Sequence, residues 1–159
     1  MSAAEFSRRH NEDLARAAAA AMQQHYPECV EICSELLTGG LYEEWSGVDG
    51  PSARRARAET RLLMATAMHY NDGHYEDIVR VLKAALDSPP EVQKDAWFTL
   101  GVVHASFDHA SESREAMESC LALINELRNN GATSESLDQL DEDAKQFLSE
   151  LAAKSAQSN

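Results

Sequence analysis

The sequence predicts an all-α fold in which a pair of helices is repeated along the chain. Three segments align with one another, each beginning with His and ending with Leu, and another helical pattern precedes each of them. Two places, four residues apart, fall on one helix face in every segment. The repeated unit is therefore a helix, a short turn and a second helix. The aligned segments are HYPECVEICSELL (25–37), HYEDIVRVLKAAL (74–86) and HASESREAMESCL (109–121). The paired places hold Cys29 and Cys33, Ile78 and Leu82, and Ser113 and Met117.

The first half of the chain contains one unit and then an interruption. We expect residues 1–9 to form an N-terminal tail, and the first helix pair to occupy residues near 10–37. The second aligned segment starts 49 residues after the first, whereas the third starts 35 residues after the second. The excess lies in residues 38–56, whose Gly and Pro residues break helices and predict a loop insertion.

Two further units and a closing helix follow the insertion. The units are predicted near 59–92 and 94–128, and Gly131 can end the last of these helices because it takes positive φ readily. The closing helix is predicted over 136–153, with Ser136 and Gln139 as a capping box. Its apolar residues follow the spacing of one buried stripe. The sequence thus predicts about seven helices in a single domain over 10–152, with a C-terminal tail over 153–159.

The segment WFTLGVVH (97–104) resembles the tetratricopeptide repeat, whose pattern begins W-x2-L-G-x2-Y. Trp97, Leu100 and Gly101 match this pattern, and His104 stands in place of the Tyr. In the second unit, Pro90 falls where the pattern has its closing proline. The resemblance implies a helical hairpin solenoid of three degenerate repeats, closed by a polar-faced capping helix.

Composition and charge exclude several classes of protein. The formal net charge is −13, from 27 acidic and 14 basic residues, and such a charge repels phosphate backbones. We therefore expect no nucleic-acid partner. An uninterrupted apolar stretch near 18 residues is missing, as is the apolar region of a signal peptide, so we expect no membrane partner and a soluble, cytoplasmic chain. Three cysteines do not form a disulfide framework and suit a reducing compartment.

Four histidines lie in two pieces, HYNDGH (69–74) and HASFDH (104–109). Since the second piece follows the first by the repeat spacing, His69 is expected to be equivalent to His104, and His74 to His109. Equivalent places on neighbouring helices lie roughly 10 Å apart, whereas a zinc ligand lies about 2 Å from the metal. We therefore expect structural histidines and no metal site. No catalytic motif for hydrolases, nucleotide binding or zinc peptidases is present, so neither an enzyme nor a cofactor is predicted.

The candidate site residues are those of a partner-binding surface. In tetratricopeptide proteins the first helix of each pair lines a concave groove, and the resemblance implies an apolar groove here. The insertion contributes Trp45, which either plugs the groove or joins a partner site beside an arginine cluster. Those arginines are alternatively solvated and paired with nearby glutamates. The predicted groove residues are Leu14, Ala18, Met22, Leu63, Ala67, Tyr70, Phe98 and Val102. The predicted cluster is Arg54, Arg55, Arg57 and Arg61.

The function predicted from these features is a non-catalytic protein–protein interaction module. It would act as an adaptor, a scaffold or a subunit, and hold a protein or peptide segment in the groove. A narrower alternative is a chaperone similar to those that hold translocator proteins for bacterial type III secretion. The most distant alternative is a metal-binding protein or an enzyme. Self-association through the groove and heteromeric assembly are both compatible with the sequence.

Overall fold

The computed structural model describes residues 1–157 and contains only α-helices there as regular secondary structure. The prediction of an all-α fold is confirmed, although this range holds eight helices where about seven were expected. The additional helix is the short α3, which lies inside the predicted loop insertion. In chain order the helices are α1 (Ala3–Met22), α2 (Tyr26–Thr38), α3 (Leu41–Ser46), α4 (Gly50–Tyr70), α5 (Tyr75–Ala85), α6 (Pro90–Ser106), α7 (Ala110–Asn129) and α8 (Glu135–Gln157).

Sequential helices pack as hairpins, and the hairpins pack on one another. The pairs α1/α2, α4/α5 and α6/α7 are the hairpins, while α2 packs on α4, α4 on α6 and α7 on α8. The paired places of the three aligned segments supply the centre of the packing. All six of their side chains are fully buried, as the helical spacing predicts: Cys29, Cys33, Ile78, Leu82, Ser113 and Met117.

The three hairpin turns share one backbone closure. Gln24, Asp72 and Asp108 adopt positive φ values of 63°, 56° and 63°. In each turn the following residue donates its amide hydrogen back to a carbonyl of the last helical turn, at 2.8 Å in all three cases. This is the Schellman arrangement, which satisfies carbonyls that a helix end leaves without partners. The donor and acceptor pairs are His25 and Ala20, Gly73 and Met68, and His109 and His104.

The second hairpin turn holds one residue more than the other two. His25, His74 and His109 are the N-caps of the second helices. In the second hairpin, Gly73 closes the turn and His74 then precedes α5. Ala20, Met68 and His104 are therefore the equivalent residues of the first helices. The expected equivalence of His69 and His104 is wrong, because the extra turn residue moves the first helix of the second hairpin by one place.

The expected N-terminal tail belongs to α1, which begins at Ala3. Ser2 caps this helix, because its hydroxyl accepts a hydrogen bond from the Glu5 amide at 3.1 Å. Phe6 is buried and stacks on Trp45 with ring centroids 5.1 Å apart. The predicted tail is therefore wrong, since these residues form the first turns of α1 and Phe6 joins the core cluster that contains Trp45.

The predicted insertion over 38–56 is not a loop throughout. Gly40 takes positive φ, and α3 then places Leu41, Tyr42 and Trp45 in a core cluster with Phe6. The helix α4 already begins at Gly50, because the Asp49 carboxylate accepts the Ser52 amide at 3.1 Å and Pro51 suits a first helical turn. The insertion thus consists largely of α3, whose apolar face is buried, and of the first two turns of α4.

A row of buried polar groups fastens α3 between α1 and α4. The Tyr42 hydroxyl lies 3.0 Å from His10 Nδ1 and 2.6 Å from Thr60 Oγ1. The Thr60 hydroxyl in turn donates to the Ala56 carbonyl at 3.1 Å. Burial raises the pKa of Tyr42 to about 12, so its phenol keeps the proton that these contacts use.

The C-terminal helix is longer than predicted and starts at a different cap. The Ser134 hydroxyl accepts the Leu137 amide at 3.1 Å, so Ser134 and not Ser136 caps α8. Gly131 has φ +90° and ends α7, as predicted. The expected tail over 153–159 is helical up to Gln157, and residues 158 and 159 lie outside the described residues. Among the described helices, none has the length and apolar character needed to cross a membrane.

Candidate partner-binding surfaces

The exposed apolar side chains of the first helices lie at their C-terminal ends. Met22 is 87% exposed and Tyr70 is 66% exposed, and they are the last residues of α1 and α4. Phe107, 37% exposed, is the C-cap of α6. Met22 and Tyr70 occupy equivalent places in the first two hairpins, and Phe107 lies one place later in the third. Large apolar side chains that face water are candidates for contact with a partner.

A pocket of about 210 Å³ lies between α4 and α6. Tyr70, Phe98 and Val102, all predicted groove residues, line it together with Thr66 and His69. Phe98 and Val102 also pack against the core cluster of α7 and α8, so they are only half-exposed. The structure therefore brings three predicted residues together, with Tyr70 as the most accessible of them.

Ala67, predicted to face the groove, instead lies in the core. It is 1% exposed and packs in a cluster with Ala17, Ala20 and Cys29, against which Leu63 is also partly buried. The prediction was wrong because it assigned the faces of α4 from the position of α5, across a turn that holds one extra residue. Thr66 takes the pocket position that was assigned to Ala67.

The other predicted groove residues of α1 and the insertion differ in exposure. Leu14 and Ala18 are half-buried. Trp45 is 4% exposed and packs in the cluster of Phe6 and Tyr42. Trp45 lines no part of the α4–α6 pocket, so neither a plug in this pocket nor an exposed partner site describes its position.

The predicted arginine cluster is engaged in contacts within the chain. Three of the guanidinium groups approach carboxylates and the fourth donates to a backbone carbonyl. These contacts tie α4 to α3, to the end of α5, to the turn after α5 and to the start of α6. Most of these side chains are so exposed to solvent that each ion pair alone contributes little to stability. The contacts are Arg54–Asp87 at 3.7 Å, Arg55–Glu91 at 3.5 Å, Arg57–Glu43 at 3.7 Å and Arg61 to the Ala84 carbonyl at 3.2 Å.

His69, His104 and His109 belong to a continuous row of rings that links the three hairpins. In this ring row each member contacts the next one, with centroids 4.3–6.4 Å apart. His104 Nδ1 lies 2.7 Å from the Tyr75 hydroxyl, and His69 Nε2 lies 2.8 Å from Ser106 Oγ. Between residues 1 and 157, no three His, Cys, Asp or Glu side chains converge to hold a metal ion. The ring row runs Tyr26, Tyr70, His69, Phe107, Tyr75, His109 and His104.

A larger cleft, of about 830 Å³, lies between α5 and α7 with α6 as its floor. Sequence reasoning missed it, since its walls are helices that only tertiary packing brings to the two sides of α6. Tyr75, His104 and His109 close the end nearest the turns. Burial lowers the pKa of His104 although the Glu112 carboxylate acts in the opposite sense. Burial also raises the pKa of Tyr75, so both groups favour their neutral forms.

The cysteines are poor nucleophiles in this environment. Burial raises the pKa of Cys33 to about 12 and that of Cys120 to about 12. The reactive form of cysteine is the thiolate, which these values make scarce at neutral pH. The thiols therefore act as small apolar core groups.

The chain was also compared with known proteins. It matches no protein-family model and no curated protein.

Proposed function

We propose that the chain is a non-catalytic interaction module that holds a segment of a partner protein on the surface of α1, α4 and α6. The observation that carries the proposal is the convergence of Tyr70, Phe98 and Val102 around one pocket. Tyr70 exposes two-thirds of its surface beside this pocket. An aromatic anchor next to an apolar depression is the arrangement in which interface hot spots occur.

The packing of the helices supports a hairpin solenoid similar to tetratricopeptide proteins. The first helices α4 and α6 contact each other, as α1 and α4 do, and α8 covers the last hairpin. First helices that lie side by side present one continuous surface, and repeat proteins bind partners on such surfaces. We propose that the surface of α1, α4 and α6 has this role.

The chemistry of the surface favours an apolar partner segment. The pocket accepts an apolar side chain of the partner, and the exposed Phe107 ring contacts His69 at the edge of this pocket. Burial of such side chains drives association in proportion to the apolar area removed from water. An amphipathic helix or an extended apolar segment meets this requirement.

The experiment compares two substitutions of equally exposed apolar residues. Tyr70→Glu places a charge beside the pocket, and Val48→Glu places one at a residue that is 68% exposed outside this surface. Proteins captured from an extract of the source organism are quantified for both variants and for the wild type, and circular dichroism verifies that each variant is folded. We expect partners that Val48→Glu retains and Tyr70→Glu loses. Identical captured sets for the two variants would rule out the surface.

A quantitative measurement follows for any partner found in this way. Truncation of a central interface aromatic reduces the binding free energy by about 2 kcal/mol or more, which corresponds to a roughly 30-fold larger dissociation constant. We expect Tyr70→Ala to have this effect in isothermal titration calorimetry with the purified partner.

A further inference from the structure

We propose that the cleft between α5 and α7 is a second docking site, and that its occupant is an amphipathic helix of a partner protein with a basic flank toward α7. The site is separate from the surface of α1, α4 and α6 described above. It is assigned from the length of the cleft, from its apolar floor and from the opposite charges of its two walls.

The floor and length of the cleft fit an apolar stripe of about three helical turns. Val79 of α5, its C-cap residue Leu86, Leu100 of α6 and Ala116 of α7 form an apolar lining. The lining residues on the α5 side extend from Tyr75 to Leu86, a distance of about 16 Å at 1.5 Å per residue. A helix of this length presents three or so apolar residues on one face.

The backbone of the walls favours a helical occupant over an extended one. Both walls are helices, whose amide and carbonyl groups already pair within the helix. An extended segment would therefore gain no backbone hydrogen bonds from the cleft walls. A helix satisfies its backbone internally and needs only side-chain contacts.

Beyond Glu76, which lies on the α5 wall at the end nearest the turns, the charges along the two walls are of opposite sign. Arg80 and Lys83 line the α5 side there, and Glu112 and Glu115 line the α7 side. Arg80 pairs with Asp77 and Glu112 approaches His109, but Glu76, Lys83 and Glu115 form no ion pair with any residue between 1 and 157. The arginines of α4, by contrast, all have partners within the chain. Charges at the rim of an apolar cleft that lack such partners select the orientation of an incoming helix.

Two designed peptides test the charge assignment. Each is a lactam-bridged helix of about 14 residues with leucines at i, i+4 and i+7. In both, Lys residues occupy one flank and Glu residues the other, and the second peptide exchanges the flanks. An axis antiparallel to α5 and α7 sets opposite ends of the helix dipoles side by side, and we expect the peptide to bind in this direction. The matched peptide is the one whose Lys flank then faces α7 while its leucines lie on the cleft floor. Fluorescence anisotropy measures both affinities at low salt, and we expect the matched peptide to bind at least ~10-fold more tightly.

A charge-swapped variant makes the test independent of overall peptide affinity. Lys83→Glu combined with Glu115→Lys changes two exposed side chains and should reverse the preference, so that the exchanged peptide binds more tightly. The proposal is overturned if neither peptide binds, if both bind equally, or if the preference is unchanged in the swapped variant. Tyr70→Glu should leave peptide binding intact, so failure at the α4–α6 pocket and failure at this cleft are distinguishable.

Sedimentation velocity without peptide tests whether the cleft is instead occupied by a second copy of the chain. We expect the same sedimentation coefficient at low and high protein concentration. A concentration-dependent dimer that disappears in the charge-swapped variant would assign the cleft to self-association and overturn the proposal.

Discussion

Replacing Tyr42 with Phe removes one buried hydroxyl and should lower the free energy of unfolding by about 2 kcal/mol. The ring of Tyr42 is fully buried, so the Phe ring fills the same space. The Thr60 hydroxyl keeps its hydrogen bond to the Ala56 carbonyl. His10 Nδ1 loses its partner in a ring that is 4% exposed. One buried polar atom left without a partner costs about 1–3 kcal/mol, which sets the expected magnitude.

Urea unfolding followed by circular dichroism measures this loss. A chain of this size loses about 2–4 °C of melting temperature per kcal/mol, so we also expect the midpoint of thermal unfolding to fall by about 4–8 °C. Tyr70→Phe is the matched control, because it removes a hydroxyl from a ring that is 66% exposed. The control should change stability by less than about 0.5 kcal/mol.

A double-mutant cycle with Thr60→Val separates the hydrogen bond from other effects. The two oxygens lie 2.6 Å apart, and we expect a coupling energy of about 1 kcal/mol between the two substitutions. Additive effects, or a Tyr42→Phe loss no larger than that of Tyr70→Phe, would refute the inference that this hydroxyl holds α3 in place.

Three further predictions concern the turns, the cleft and the thiols. Gln24→Gly should raise the free energy of unfolding by about 0.5–1 kcal/mol, since Gly adopts positive φ without strain. The control Gln23→Gly, at φ −88°, should not raise it. Equal effects of the two substitutions in urea unfolding would contradict this prediction. Because the pKa of His104 is lowered in the folded chain, the unfolded chain binds protons more readily, so stability should fall as pH drops below about 6.5. His104→Gln should remove that part of the pH dependence in chemical unfolding; an unchanged profile would argue against the assignment. Cys33 and Cys120 should react with a thiol reagent only as urea unfolds the chain, and rapid labelling of the native protein would show that they are accessible.

Local patterns in the sequence were enough to predict the second helices and the closing helix. His25, His74 and His109 mark the starts of α2, α5 and α7 because each residue precedes an amphipathic run. Gly131 marks the end of α7 because positive φ is cheap for glycine. These boundaries, and the buried stripes of the second helices, depend on neighbours in sequence, and so they are readable without tertiary information.

Features that depend on tertiary contacts were not predictable in the same way. Phe6 orders the first residues of the chain only because Trp45 lies against it. The α5–α7 cleft exists only because α6 holds its two walls apart, and no run of residues encodes that separation. The face of Ala67 was misassigned because a single turn residue, Gly73, is invisible to an alignment anchored on the second helices.

The extra turn residue Gly73 limits how the hairpins of this chain can be exchanged or copied. A helix rotates by about 100° per residue, so a first helix moved to another hairpin without its own turn would present a neighbouring face to its partner helix. The smallest unit that can be repeated or moved is therefore the hairpin together with its turn. An extended array made from α4 and α5 needs Gly73 in every copy, whereas one made from α6 and α7 must be built without an equivalent residue.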